Sequence, residues 1–288
     1  MKIAIVMFYN EPIKMYGEIT HRINKKYCEK YNLDVIISHT PKYRYRHPAW
    51  ERLPLLLEHI RNYDYLIWID ADAYFYSDAP NIAEIIAQNP AHNFIFSNDR
   101  GDTNINTGIL IVKNSQYSID FLTRWAYDEQ LYITNPIPGF WDQGVLIDMY
   151  NKNILDIKSN SIIFDYGFFQ HFSKDELATL PRKPYVYHLA GKDFPTRCCE
   201  TREYLYDNYG ECKFLENKSY TWENNQITFR KHYKLDAFNA GHYMQEDARV
   251  FQATFGGRVH TLVFNDDYTE FASMRHGDNA VVKGRLVV

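Results

Sequence analysis

An apolar run that ends in two aspartates, at residues 66–73, constrains this chain more than any other feature. Leu66–Ile69 is apolar throughout, which is typical of a buried strand, and Asp70 and Asp72 follow where that strand should end. Residues i and i+2 of an extended chain point to the same side, so both carboxylates can reach one point beyond the sheet. Carboxylate oxygens are the ligands that Mg²⁺ and Mn²⁺ prefer, usually together with substrate phosphates. The run therefore predicts a divalent metal site at a strand end, although an acidic turn would have the same sequence.

Strand and helix patterns alternate through the first part of the chain. We predict strands at Ile3–Phe8, Asp34–Ser38 and Tyr65–Ile69, separated by helices near residues 16–27 and 53–60. This alternation predicts an α/β fold, in which parallel strands are joined by right-handed crossovers. Ligands of such sheets bind outside the carboxyl ends of the strands, where both Asp70 and the segment Phe8–Asn10 are expected to lie.

From about Tyr220 the pattern changes to short runs of alternating polarity. They are separated by turn signals such as Gly256-Gly257 and Gly277-Asp278-Asn279. The predicted runs are Gln226–Phe229, Arg249–Phe255, Arg258–Phe264, Thr269–Ser273 and Ala280–Val288. We therefore expect a catalytic or binding domain at residues 1–218 and a small antiparallel β module at residues 219–288. Glycan binding, contact between copies of the chain and structural cover all remain open as roles for this module.

Charge and hydropathy exclude two classes of function. The chain of 288 residues has a formal net charge of −4 and no long basic stretch, which argues against nucleic-acid binding. No apolar run is long enough to span a bilayer, so we predict no transmembrane segment. Because the first predicted strand begins at Ile3, there is no room for a signal peptide before it, and a cytoplasmic location is expected.

Three further motifs carry polar groups at predicted element ends. The first, residues 106–108 (Asn-Thr-Gly), precedes a buried run and could contact hydroxyl groups, or could be a plain turn. The second, residues 141–144 (Trp-Asp-Gln-Gly), opens a helix, where an N-cap role explains Asp142 but not Gln143. The third, residues 186–192, ends a strand in His188 and continues to Lys192. A neutral imidazole can complete a metal shell, and a lysine can meet phosphate oxygens.

The order of these motifs resembles that of nucleotide-sugar-dependent glycosyltransferases of the GT-A fold. The closest resemblance is to glycosyltransferase family 34, which contains galactosyl- and xylosyltransferases. It covers roughly residues 1–215 and also includes the segment Trp50–Pro54. The motifs that carry it are Asp70-Ala71-Asp72, Asn106–Leu110, Trp125, Asp142-Gln143 and His188–Gly191.

The resemblance implies a GT-A, Rossmann-like catalytic domain and a retaining transfer from a UDP-sugar to an oligosaccharide or glycan acceptor. Galactose, xylose or glucose would be the transferred sugar, and Mn²⁺ or Mg²⁺ would be the cofactor. Asp70, Asp72 and His188 would hold the metal, and Gln143 would lie beside the anomeric carbon. The implied donor contacts are Arg52, Asp70, Asn106, Asp142 and Lys192, and the strand-end position adds Phe8 and Asn10. Gln143 and Asp142 are the expected catalytic residues. In contrast to the Golgi members of the family, this chain is expected to lack a membrane anchor and to carry an additional β module, which could join copies of the chain.

Two other interpretations compete with a glycosyltransferase. A haloacid-dehalogenase-type phosphatase also places Asp-x-Asp after an apolar strand, but there the pair comes early and is followed by Thr or Val. A non-catalytic carbohydrate-binding protein would explain the aromatic content of 16% and the β module. It would leave unexplained the combination of Asp70 and Asp72 with the motif of His188, Gly191 and Lys192.

Overall fold

The computed structural model describes residues 1–101, 104–237, 240–247 and 249–287. The chain divides into two compact units, residues 1–197 and residues 198–288. The first unit mixes helices with a parallel-rich sheet, and the second contains a separate antiparallel sheet. The predicted fold class, α/β with a small antiparallel β module, is therefore confirmed.

In the first unit, the larger sheet combines parallel and antiparallel pairs. The strands of this unit are β1 (Ile3–Phe8), β2 (Asp34–Ser38), β3 (Tyr65–Ile69), β4 (Ala73–Phe75), β5 (Phe94–Asn98), β6 (Ile105–Lys113), β7 (Ser161–Phe164), β8 (Gln170–His171) and β9 (Val186–His188). Among the described residues the larger sheet has the order β2-β1-β3-β6-β5-β7. Strand β1 is parallel to β2 and β3, and β5 is parallel to β7, whereas β6 runs antiparallel to its neighbours. Since β1 has a parallel partner on each side, a crevice opens at its carboxyl end.

Several helices pack against this sheet: α1 (Lys14–Tyr31) on β1 and β2, α2 (Arg52–His59) on β1 and β3, and α6 (Trp141–Asn151) on β6. The further helices among the described residues are α3 (Ile82–Gln88), α4 (Gln116–Tyr127), α5 (Glu129–Ile133), α7 (Ile157–Asn160) and α8 (Phe194–Tyr209), of which α8 contains the boundary between the units. Side chains of α2, α4 and α6, such as Leu56, Trp125 and Met149, pack on Trp68 and Leu110 of the sheet in one buried cluster. Helices α4 and α5 are separated at Asp128, whose carboxylate caps α5.

A second, smaller sheet lies next to the strand end that bears the aspartates. In it β4 pairs antiparallel with β9, and β9 pairs in parallel with β8. Strand β4 begins one residue after Asp72, and its register places Ala73 opposite His188. This pairing brings two distant motifs of the sequence together.

The second unit is built around an antiparallel meander. Its strands are β10 (Ser219–Trp222), β11 (Asn225–Phe229), β12 (Lys234–Asp236), β13 (Ala240–Asp247), β14 (Val250–Phe255), β15 (Arg258–Phe264), β16 (Glu270–Arg275) and β17 (Val281–Arg285). Each strand pairs with the next, and a bridge between Tyr220 and Leu286 brings the chain end back to β10. Gly256 and Gly257, both at positive φ, form the two-residue turn between β14 and β15. Strands β10, β12 and β13 were not predicted, and Val288 of the last predicted run lies outside the described residues.

Candidate active site

The two aspartates lie in a tight turn between β3 and β4. The amide of Asp70 donates to the carbonyl of Gly108 (2.9 Å), and the amide of Ala73 donates to the carbonyl of Asp70 (3.0 Å). The amide of Leu189 donates to the carbonyl of Asp72 (2.9 Å). As a result one ligand atom from each of Asp70, Asp72 and His188 lies within 4.8 Å of the other two.

Two buried polar side chains of helix α1 hydrogen-bond to the backbone of this turn. The Thr20 hydroxyl donates to the carbonyl of Ala71 (2.6 Å), and the Asn24 amide donates to the carbonyl of Ala73 (3.0 Å). The Asn24 side-chain oxygen also accepts from the amide of Phe75 (2.9 Å). Sequence reasoning missed both residues. The available signal was a polar pair at i and i+4 on the otherwise apolar face of α1, since neither residue has exposed surface.

The His188 ring is oriented by a buried hydrogen-bond network. Its Nδ1 lies 2.9 Å from Gln170 Oε1, and Gln170 Nε2 donates to Asn106 Oδ1 (2.9 Å). This contact makes Nδ1 the donor, so Nε2 faces Asp72 at 3.4 Å and Asp70 at 3.9 Å. Burial opposes a charge on the ring, but the neighbouring Asp72 and Asp70 raise the pKa of His188 above its usual value.

Gly108 leaves the space that the His188 ring occupies. A Cβ atom at this position would lie 2.1 Å from His188 Cε1. Its amide donates to Asn106 Oδ1 (2.8 Å), so the Asn106 oxygen already receives two hydrogen bonds within the protein. The Asn-Thr-Gly motif therefore supports the histidine, which the sequence alone did not indicate.

Two arginines neutralise the aspartates. Arg52, buried at the start of α2, lies 3.3 Å from Asp70 Oδ1 and 2.9 Å from Asp142 Oδ2, and it donates to the carbonyl of Thr107. Arg197 lies 2.9 Å from Asp72 Oδ2. Burial works against ionisation of Asp72, yet His188 and Arg197 hold the pKa of its carboxyl below the ordinary value.

Asp142 is a buried carboxylate whose charge is poorly compensated. Arg52 Nε is 2.9 Å away, but this N–H donates to the carbonyl of Ala49 (3.1 Å). Among the described residues neither Asp142 oxygen accepts a hydrogen bond of good geometry. Burial raises the pKa of Asp142 to about 7, with Arg52 opposing the rise and Asp70 adding to it.

We expect Asp142→Asn to stabilise the protein at and above neutral pH. The folded protein keeps the Asp142 proton up to about pH 7, whereas the unfolded chain loses it near pH 4. Unfolding therefore releases a proton between these values, and the stability of the wild type falls as the pH rises. The advantage of the variant should grow by up to about 1.4 kcal/mol per pH unit and level off above pH 7. Urea unfolding of both proteins from pH 5 to 8 measures it, and a constant difference would contradict the raised pKa.

The motif residues line a cleft with two lobes. The larger lobe, about 460 Å³, contains Phe8, Asn10 and Trp68. The smaller lobe, about 390 Å³, contains Asn106, Gln143 and His188. Residues that line both lobes are Ala49, Arg52, Asp70, Asp72, Trp141 and Arg197. Asp70 and Asp72 thus lie where the two lobes meet.

Gln143 is held by Thr107. Its side-chain oxygen accepts from the Thr107 amide (3.0 Å) and lies 3.2 Å from the Thr107 hydroxyl. Because an amide nitrogen cannot accept from a backbone N–H, these contacts fix which end of the amide faces Thr107. The nitrogen is left as the group that can donate to a ligand in the smaller lobe.

A family model described as nucleotide-diphospho-sugar transferase matches residues 27–193, which is more than half of the chain. The chain belongs to this family. It is a glycosyltransferase, and its donor is a nucleotide sugar. No curated protein sequence matches the chain.

Solved structures share the fold of this nucleotide-diphospho-sugar transferase. A glycosyltransferase involved in the glycosylation of the major capsid of PBCV-1 has a TM-score of 0.58 at 16% identity, covering 70% of this chain and 98% of that chain. The Streptococcus pneumoniae TIGR4 glycosyltransferase GlyE has a TM-score of 0.48 at 14% identity, covering 68% and 56%. Mouse xyloside xylosyltransferase 1 has a TM-score of 0.39 at 9% identity, covering 65% and 97%. The first of these supports the fold.

The cluster of Asp70, Asp72 and His188 in this transferase fits a divalent cation. Two carboxylates and one imidazole suit Mn²⁺ or Mg²⁺, and three protein ligands leave coordination positions for diphosphate oxygens. The Gln170 contact directs His188 Nε2 toward the carboxylates, as metal-binding histidines require. The candidate ligands are therefore the three residues that the sequence predicted.

Of the predicted donor contacts, Lys192 is the one that the structure does not bring into the cleft. Within the described residues Lys192 lines neither lobe. The basic residue of this part of the chain that does line both lobes is Arg197. Arg197 lies on α8, five residues further along the chain, outside the motif of residues 186–192 that contains Lys192.

Among the described residues, no helix is both long and apolar enough to cross a membrane.

Proposed function

We propose that this transferase moves a hexosyl or pentosyl group from a UDP-sugar to a glycan acceptor, with retention at the anomeric carbon and dependence on Mn²⁺. Galactose, xylose and glucose are the favoured sugars. The observation that carries the proposal is the convergence of Asp70, Asp72 and His188 in a two-lobed cleft, with both aspartates at the junction of the lobes. The family 34 resemblance of the motif order supports uracil as the base and retention as the outcome.

The shape of the cleft suggests how the donor binds. The nucleoside would occupy the larger lobe beside Phe8 and Asn10, at the carboxyl end of β1. The diphosphate would lie at Asp70 and Asp72, and the sugar would enter the smaller lobe near Gln143. This order follows the order of the lobes along the cleft.

The side chains of the cleft match the charge that the reaction develops. A bound divalent cation would neutralise the negative charge on the departing diphosphate. Arg197 lies at the junction of the lobes, where its guanidinium can donate to phosphate oxygens. Arg52 keeps Asp70 in place, and the Gln143 amide can hold a sugar hydroxyl. These groups are positioned before the donor arrives, so little reorganisation is required.

We expect UDP to bind in the presence of Mn²⁺ and to lose most of its affinity in excess chelator. The reason is that Asp70, Asp72 and His188 would hold the cation and leave coordination positions for the diphosphate oxygens. Calorimetry with UDP and GDP tests the base, and release of UDP from a panel of UDP-sugars tests the transfer chemistry. Binding of GDP but not UDP would overturn the base assignment. Binding of UDP-sugars without any turnover would favour the non-catalytic carbohydrate-binding protein.

A further inference from the structure

Trp141 is an exposed tryptophan in an unusual backbone conformation. It lies 44% exposed at a φ of 47°, whereas Trp50, Trp68, Trp125 and Trp222 are at most 5% exposed. A bulky residue at positive φ is strained, and an exposed indole leaves a large apolar surface in water. Both costs are incurred at a residue that lines both lobes of the cleft.

The surrounding structure holds the indole in place. Asn135 Nδ2 donates to the Trp141 carbonyl (2.8 Å), and Asn135 Oδ1 accepts from the amide of Ile137 (3.0 Å). The indole stacks on the His47 ring with 3.8 Å between centroids and 4° between planes. His47 is itself fixed, since its Nδ1 accepts from the amide of Ala49 (3.2 Å). With one indole face covered by His47, the other is available to the cleft.

A strip of aromatic and basic side chains is linked to Trp141 through His47, which stacks on the indole and directly follows Arg46 in the chain. It consists of Trp141, His47, Arg46, Tyr132, Tyr43 and Tyr127. Arg46 lies over the rings of Tyr132 (4.6 Å) and Tyr43 (4.8 Å), and Tyr43 lies 6.4 Å from Tyr127. Tyr132 and Tyr127 are 43% and 54% exposed.

The strip has a rigid base. Arg46 donates to the carbonyl of Ala126 (2.6 Å), and the Tyr43 hydroxyl donates to the same oxygen (3.1 Å). The buried Glu51 accepts from the amides of Lys42 (2.7 Å) and Tyr43 (2.9 Å), which ties down the loop that carries the strip. Exposed rings are therefore presented at fixed positions, which reduces the entropy cost of binding.

We propose that this strip binds the acceptor, and that the acceptor is an oligosaccharide of several units and not a single sugar. The proposal rests on the proposed function. Sugar rings have an apolar C–H face and an edge of hydroxyls, so they suit a surface where the exposed rings of Trp141, Tyr132 and Tyr127 lie beside a guanidinium, that of Arg46. The strip joins the cleft at Trp141, so a glycan whose end unit lies in the smaller lobe can extend along it.

Quenching of tryptophan fluorescence by iodide tests the position of the glycan directly. Iodide should quench one component of the emission from the full chain, and Trp141→Phe should remove that component, because the other tryptophans are buried. The probes are soluble hexose and pentose oligosaccharides of one to six units. At least one series should protect Trp141 from iodide, increasingly with length. Because Trp141 also lines the larger lobe, UDP can protect it in part, but UDP together with a glycan of that series should protect it more than UDP alone. Protection by UDP that no glycan increases would overturn the proposal.

Binding to an array of the same oligosaccharides, with variants, tests the strip. Tyr132→Ala should weaken binding of the longest members by about three- to tenfold and leave disaccharides unchanged. Trp141→Ala should weaken all of them. Tyr63→Ala is the matched control. Tyr63 lies before the amino end of β3, whereas Asp70 of the cleft follows its carboxyl end, and Tyr63 also contacts a cation, Lys2. It should change nothing.

Three results would overturn the strip as the acceptor site. These are no binding to any series, equal binding of single sugars and hexasaccharides, and a dimer in sedimentation equilibrium that Tyr132→Ala dissociates. UDP-sugar hydrolysis separates this proposal from the proposed function. If UDP-sugars are hydrolysed but glycan binding does not depend on glycan length, the strip is rejected as the acceptor site and the proposed function stands. Length-dependent glycan binding without hydrolysis rejects the transferase proposal alone.

Discussion

Asp72→Asn should reduce sugar transfer by at least about 10³-fold while the protein remains folded. The amide has the shape of the carboxylate but not its charge, so a divalent cation would lose one of its two anionic ligands. The carbonyl of Asp72 would still accept from Leu189, which keeps β4 and β9 in register. Transfer rates, Mn²⁺ titration in the presence of UDP, and the melting temperature measure the three parts of this prediction.

Asp78→Asn is the matched control for that variant. Asp78 is also an aspartate in an ion pair, with Lys183 Nζ 2.6 Å from its Oδ1, but it is 63% exposed and lines neither lobe of the cleft. It should retain full activity. If Asp72→Asn keeps its activity, or if wild-type transfer persists in excess chelator, Asp72 is not a metal ligand.

The candidate metal site could be predicted from the sequence because its residues stand at element ends. Asp70 and Asp72 follow an apolar strand, and His188 ends another, so pattern alone marks both places. That His188 lies beside the two aspartates could not be derived from pattern. It depends on β4, a strand of three residues after a turn, which is too short to give a periodic signal. The resemblance of the motif order to known transferases supplied that link.

Residues that support the site were harder to predict than those that form it. Gln170 orients His188 from a strand of two residues that has no pattern of its own. Thr20 and Asn24 point inward from α1 to carbonyl groups of the aspartate turn, a contact that depends on how the helix packs. In the second unit, Gly256-Gly257 marked its turn because positive φ favours glycine. Strand β12 has three residues and gave no such signal.

Arg52→Met should destabilise the protein by about 3–5 kcal/mol at pH 8 and should also reduce transfer. Arg52 is 3% exposed and is the cation nearest the buried Asp142 and one of the partners of Asp70. Methionine fills a similar volume but leaves the Asp142 carboxylate without a counter-charge. Because the pKa of Asp142 is already raised to about 7, the cost should be smaller at pH 5, where this carboxyl is protonated. Urea unfolding at the two pH values measures the difference.

The double variant Arg52→Met, Asp142→Asn separates the charge of Arg52 from its packing. Removing the uncompensated carboxylate should restore most of the stability that Arg52→Met loses at pH 8, because two neutral side chains can share the buried site. Transfer should not return, since Arg52 lines both lobes of the cleft and holds Asp70. Arg52→Lys is the matched control that keeps the charge. Its single ammonium cannot reproduce the contacts of a guanidinium to Asp70, Asp142 and Thr107, so it should be intermediate in stability. If the double variant is no more stable than Arg52→Met alone, the cost lies in packing, and Asp142 is not the group that Arg52 compensates.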